Sequence, residues 1–197
     1  DENNTTYAQG GIAVVLSDKD TVAKHIKDTL DAGQVLSDTA TVKAVVSEGP
    51  RRVNELIEWG ASFDKENNHL VFTQEGGHHF PRIIHAQGDS TGKEIEQTLI
   101  RVGKENKNIK IFDHTFVIDL ITKDGTCNGA VAWHAKKGNL LIWAKRTILA
   151  TGGCGQVYRE TTNPDVATGD GLAMAYRAGA ALQDMEFRQF HPTTLYI

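Results

Sequence analysis

Asn4-Thr5-Thr6-Tyr7-Ala8-Gln9-Gly10-Gly11-Ile12-Ala13 is the stretch on which the reading of this chain turns. It combines small and polar side chains with two adjacent glycines and carries no charge. With no Cβ at Gly10 or Gly11, backbone N–H groups can approach a bulky anionic or aromatic ligand closely. The segment is expected to run straight into a helical pattern, so it reads as a ligand-cradling loop; a flexible surface loop is the alternative. Two later glycine-bearing stretches, Ala150-Thr151-Gly152-Gly153 and Thr168-Gly169-Asp170-Gly171, favour the first reading.

Composition narrows the class. The chain has 197 residues, 40% hydrophobic and 23% charged, with a net charge of -4. These are values of an ordinary globular protein. A net negative charge without a long basic run argues against nucleic acid or an anionic membrane as partner. No apolar run approaches the roughly 20 residues a membrane-spanning helix needs. The chain does not begin with Met and displays no signal peptide. Its two cysteines, Cys127 and Cys154, form no CxxC pair, so neither a disulfide framework nor a zinc site is expected, and a cytoplasmic location is. Nineteen glycines, several in short turns, suit a nucleotide-binding α/β protein.

Periodicity predicts a helix over 20–32, closed by Gly33, and a second over 39–59 with Gly60 as its stop. Pro50 predicts a break or kink in that second helix. Residues 61–90 read as a long irregular loop rich in Gly and His, and 91–102 as a helix. Strands are expected over 109–122, 128–135 and 140–145, joined at Asp124-Gly125-Thr126 and at Lys136–Asn139 into an antiparallel meander. Thr147–Ala150 reads as a short buried strand ending in Thr-Gly-Gly, 171–178 as a helix, and 182–190 as extended. The order predicts an α/β fold with an inserted antiparallel β-meander. The strand–GxGxxG–helix that opens a dinucleotide-binding domain is absent from the sequence.

Taken together with Glu75-Gly76-Gly77-His78, Arg82–His85, Asp89-Ser90-Thr91-Gly92, Thr162-Asn163-Pro164 and Gln189-Phe190-His191-Pro192-Thr193, these stretches resemble the succinate dehydrogenase and fumarate reductase flavoprotein family, and within it most the L-aspartate oxidases. The resemblance covers essentially the whole chain, with the motifs in the family's order. It implies an incomplete FAD-binding Rossmann-like domain of the fumarate reductase flavoprotein type. Residues 1–197 would be an internal part of that domain. The GxGxxG unit would lie upstream, and the capping domain, the C-terminal helical domain and the arginine that handles the proton would lie beyond Ile197.

The resemblance also implies roles. Asn4, Thr5, Thr6, Tyr7, Ala8, Gln9, Gly10 and Gly11 would lie against the flavin and pyrophosphate of FAD. Ala150, Thr151 and Gly152 would turn beside the dinucleotide, Asp170 would contact it from the start of a helix, and Phe116 and Val117 would meet the adenine with their backbone. Glu75 would recognise the ammonium group of L-aspartate, which succinate lacks. His191, fixed in direction by Pro192, would hold a substrate carboxylate with help from Gln189. His78, His79 and His85 have no acidic or cysteine partner at ligand spacing, so no metal is expected. His78 would line the substrate pocket and Arg82 would be a structural or anion-balancing partner. The implied reaction is FAD-dependent oxidation of L-aspartate to iminosuccinate with O2 or fumarate as acceptor, the first step of NAD synthesis from aspartate, with quinolinate synthase as pathway partner. Two alternatives stand beside it: a fumarate reductase or succinate dehydrogenase flavoprotein subunit, and a catalytically incompetent flavin-domain fragment.

Overall fold

The computed structural model describes residues 2–190. They form two compact units, one of Thr5–Ile109 and one of the residues before Thr5 together with those after Ile109.

In the first unit the order is β1 (Ile12–Ala13), α1 (Val22–Ala32), α2 (Thr39–Glu58), β2 (Lys65–Glu66), β3 (His69–Leu70), β4 (Ile83–Ile84) and α3 (Thr91–Glu105). The glycine loop therefore enters a short strand, not a helix. β1 pairs antiparallel with β4, Ile12 opposite Ile84, and the Val14 N–H donates to the Arg82 carbonyl at 2.9 Å. α1 starts two residues later than its periodicity suggests. Thr21 is its cap, accepting from the Lys24 N–H. Asp20 is thereby left outside the helix and turned inward.

α2 is capped by Asp38, which accepts from the Thr41 N–H at 2.7 Å. The break expected at Pro50 does not occur, and the helix runs through it. Proline removes one backbone hydrogen bond, but Val46 and Val53 on either side are buried, and helices in proteins owe most of their stability to such packing. Gly60 ends the helix as expected. Its φ is +96°, its N–H donates to the Ile57 carbonyl, and the Ala61 N–H donates to Leu56. This is a Schellman motif, for which a left-handed glycine is suited.

Residues 61–90 are not the irregular loop that their composition suggests. β2 and β3 form a hairpin through Asn67 and Asn68, both at positive φ, and Thr73 bridges to Ile83. The core of the unit is Val14, Val53, Ala61, Phe63, Ile84 and Ala86, flanked by Leu56, Ile57, Leu70 and Phe72. Much of the core thus comes from the segment that looked least structured. Apart from Leu70-Val71-Phe72, its apolar residues fall singly or in pairs among polar residues, too sparse to register as a period.

In the second unit β5 (Thr115–Lys123), β6 (Thr126–His134) and β7 (Gly138–Trp143) form the antiparallel meander, and α4 (Asp170–Arg177) follows. Asp124 and Gly125 both have positive φ, the type I′ geometry that suits a tight hairpin. β5 starts at Thr115; residues 109–114 lie outside the sheet. Gly129 faces β7 so closely that a Cβ there would overlap the Ile142 carbonyl oxygen.

Two strand expectations fail here. Thr147–Ala150 is neither a strand nor buried, with Ile148 90% exposed. A buried strand needs neighbouring strands to receive its backbone groups, and among the described residues none pairs with this one. Residues 182–190 hold no strand either. Asp184 at positive φ starts a turn that the Phe187 N–H closes onto its carbonyl.

Candidate functional site

In the first unit the glycine loop is fixed by contacts within the unit. Ala8 N–H closes a turn onto the Thr5 carbonyl at 3.1 Å, and Gly92 N–H, in the first turn of α3, donates to the Ala8 carbonyl at 3.0 Å. A Cβ on Gly92 would overlap the Thr5 carbonyl oxygen. The loop can seat on the helix only because residue 92 has no side chain. Thr91 adds a bond, its Oγ1 accepting from the Ala86 N–H at 3.1 Å. Thr6 Oγ1 donates to Glu96.

The two glycines of the loop differ in purpose. A Cβ on Gly11 would lie 2.6 Å from the Ile84 carbonyl oxygen and 2.8 Å from His85 Nε2, so Gly11 is small to pack against β4. A Cβ on Gly10 would meet nothing within 4 Å. The open side of the loop is at Gly10, with Thr5, Tyr7, Ala8 and Gln9 also exposed. An uncharged, exposed backbone with an open glycine fits a large anionic ligand such as the FAD pyrophosphate.

Glu75 projects from the following loop with its side chain 51% exposed, and its Oε1 lies 3.2 Å from Nε2 of His85, whose side chain is 19% exposed. Gly76 beside it has open space where a Cβ would be. His78 and His79 do not join His85. They turn toward a buried charge cluster centred on Arg82, which is 0% exposed. Arg82 Nη1 donates to Asp28 Oδ2 at 2.7 Å and lies 3.3 Å from His78 Nδ1. Asp28 also accepts from the His79 N–H at 3.0 Å and sits 2.7 Å from His79 Nδ1.

Burial alone would raise the Asp28 carboxyl, but the hydrogen bonds from His79 and Arg82 outweigh it and hold it at about 2. Burial, aided by the charges of Arg82 and His78, keeps His25 below its usual range. Its buried Nδ1 has no hydrogen-bond partner among the described residues. Arg82 is therefore the structural partner that the sequence suggested. Asp20 and Asp28 were missed because exposed carboxylates in and before a helix look the same in sequence.

In the second unit the glycine turns come together. A Cβ on Gly171 would overlap Thr151 Oγ1, and one on Gly169 would lie 2.6 Å from Cys154 Cβ. The start of α4 is thus seated against the Ala150–Gly153 turn. Gly152 has a φ of +73°, and Asn4 Nδ2 would lie 3.8 Å from a Cβ placed on it. Asp170 is the first residue of α4 and not its cap, which is Gly169 at φ +81°. Its carboxylate is exposed and accepts from the Thr168 hydroxyl. Phe116 and Val117 lie on β5 opposite Trp133 and Ala132. Gln189 lines a hollow of about 420 Å³ with Thr162, Asn163, Arg188 and Phe190. His191 lies outside the described residues.

A family described as "FAD binding domain" matches residues 1–197. The chain is 49% identical over 200 residues to L-aspartate oxidase 2-b, chloroplastic, of Nicotiana tabacum, covering 98% of this chain and 31% of that protein. It is 43% identical over 203 residues to L-aspartate oxidase of Streptomyces coelicolor, covering 100% and 35%. A solved chain of E. coli quinol fumarate reductase superposes with a TM-score of 0.94 at 35% identity, covering 98% of this chain and 33% of that one. The chain spans about a third of the length of the curated relatives it matches. Matched from end to end by that family, the chain belongs to the FAD binding domain family, and FAD is its cofactor.

Proposed function

We propose that this chain is part of the FAD-binding domain of an enzyme that oxidises L-aspartate to iminosuccinate. The observation that carries the reading is the exposed carboxylate of Glu75, held by His85 on the loop that follows the first unit's hairpin. A carboxylate there suits a substrate with an ammonium group and disfavours a purely dianionic one. The similarity to curated L-aspartate oxidases supports it.

In this reading the L-aspartate Cα–H bond breaks with its electron pair, the amine nitrogen gives up a proton, and a C=N bond forms. FAD, when bound, supplies the two-electron acceptor, and O2 or fumarate takes the electrons onward. The chain's own contribution is placement. In the first unit Thr5–Gly11 would contribute to cofactor binding, and in the second unit Asn4, Ala150, Thr151, Gly152, Asp170 and the β5 backbone at Phe116 and Val117 would. Glu75 would orient the ammonium, and Gln189 and His191 a carboxylate. The pathway role is the first step of NAD synthesis from aspartate, in the cytoplasm.

The test is Glu75→Gln in the FAD-loaded enzyme. Aspartate oxidation should fall at least about ten-fold, as expected for loss of one charge-assisted hydrogen bond, while fumarate reduction changes little. Equal loss of both would overturn the role. A second reading, a fumarate reductase flavoprotein subunit, is favoured by the 0.94 superposition on a fumarate reductase chain. It requires fumarate turnover without aspartate turnover.

A further inference from the structure

We infer that His85 is a positioning residue that sets the direction of the Glu75 carboxylate and ties it to the glycine loop. The inference rests on the ammonium-recognition reading of Glu75 proposed above and names the residue on which that recognition depends. Glu75 alone is half exposed, and a free glutamate would sample several rotamers. His85 is not free. Its carbonyl accepts from the Asp64 N–H at 2.8 Å, and it follows directly on the fully buried Ile84 of β4.

The ring is confined on two further sides. Nδ1 lies 3.5 Å from the Thr73 hydroxyl, and Nε2 lies 3.2 Å from Glu75 Oε1. Nε2 thus stands at ion-pair distance from the carboxylate, while the opposite ring nitrogen faces Thr73. Gly11 lies against the same ring edge, where a Cβ would come within 2.8 Å of Nε2. One imidazole thus meets the rim of the cofactor loop and the specificity carboxylate. It is fixed by backbone pairing of β1 with β4 and so transmits the position of one to the other. Among the described residues the second oxygen of Glu75 has no partner, which leaves it for an ammonium donor. His85 touches neither substrate nor cofactor in this role.

The test compares His85→Phe, which keeps a ring of similar size without a donor, with His85→Gln, which keeps a donor of similar reach. Both are made in the FAD-loaded enzyme, alongside Glu75→Gln and the double variant. His85→Phe should raise the KM for L-aspartate about ten-fold with kcat nearly unchanged, as misdirection of the carboxylate that would hydrogen-bond the ammonium implies. The Kd for succinate, which has no ammonium, should stay the same by calorimetry. His85→Gln should restore most of the KM, and the double variant should be no worse than Glu75→Gln alone.

Additive effects, an equal loss of succinate binding, or no rescue by glutamine would overturn the positioning role. If Glu75→Gln raises the KM and His85→Phe does not, recognition by Glu75 stands and positioning by His85 falls. If neither does, both fall. Should His85→Phe fail to retain its flavin absorbance, His85→Ala, which needs no extra space, reads the same KM and the same non-additivity.

Discussion

Arg82 grips Asp20 through two parallel hydrogen bonds, Nε to Oδ2 at 2.7 Å and Nη2 to Oδ1 at 3.0 Å, with both side chains almost wholly buried. The third guanidinium nitrogen is spent on Asp28. The planar fork matches this arrangement in a way a lysine cannot. Arg82→Met should therefore destabilise the first unit by about 3–5 kcal/mol, because it strands two buried carboxylates. Arg82→Lys should recover only part of that loss. Urea unfolding measures both.

The same cluster dictates an acid response in two stages. His25 has its folded pKa below 6.5, mainly through burial. As pH falls below 6.5 the unfolded chain binds a proton that the native chain does not, so stability declines. Asp28 lies at about 2 when folded against 3.8 for the ordinary group. Its contribution is complete above 3.8 and is lost as pH falls from there toward 2. The urea midpoint should fall in both windows. His25→Leu should flatten the upper one and Asp28→Asn the lower one. A midpoint that stays level between neutral pH and pH 4 would contradict the role of His25.

Gly92 and Gly10 should respond oppositely to alanine. At residue 92 a methyl group collides with the Thr5 carbonyl oxygen, and at residue 10 it meets open space. Gly92→Ala should unseat the loop and lower FAD content by about ten-fold or more, since a backbone clash cannot be relieved by a rotamer change. Gly10→Ala should leave the fold intact, with unchanged circular dichroism, and weaken FAD only where the cofactor comes close. Flavin absorbance per protein measures the difference.

Phe63 is 3% exposed and belongs to the first unit's core. Phe63→Ala should cost about 3–5 kcal/mol through lost transfer energy and the cavity left behind. Leu141, 65% exposed on β7, should tolerate alanine with a change of about 0.5 kcal/mol or less. Thermal unfolding of the two variants separates a core position in 61–90 from a surface position on the meander.

What could be read from sequence was whatever local chemistry enforces. Gly60 had to stop α2 because the Schellman turn needs positive φ. Asp124-Gly125 had to turn the chain, and alternation in the meander gave three paired strands. The glycine loop and the Thr-Gly-Gly and Gly-Asp-Gly turns were visible because glycine leaves a distinct trace wherever a backbone must come close. The tertiary structure decided the rest. It turned Asp20 and Asp28 inward on Arg82, packed Ala61, Phe63, Ile84 and Ala86 into a core, carried α2 through Pro50, and left Thr147–Ala150 unpaired. Each of these depends on partners distant along the chain. Residue type and spacing say that a carboxylate or an apolar run is present, but only the long-range contact decides whether it is buried, paired or free to meet a ligand.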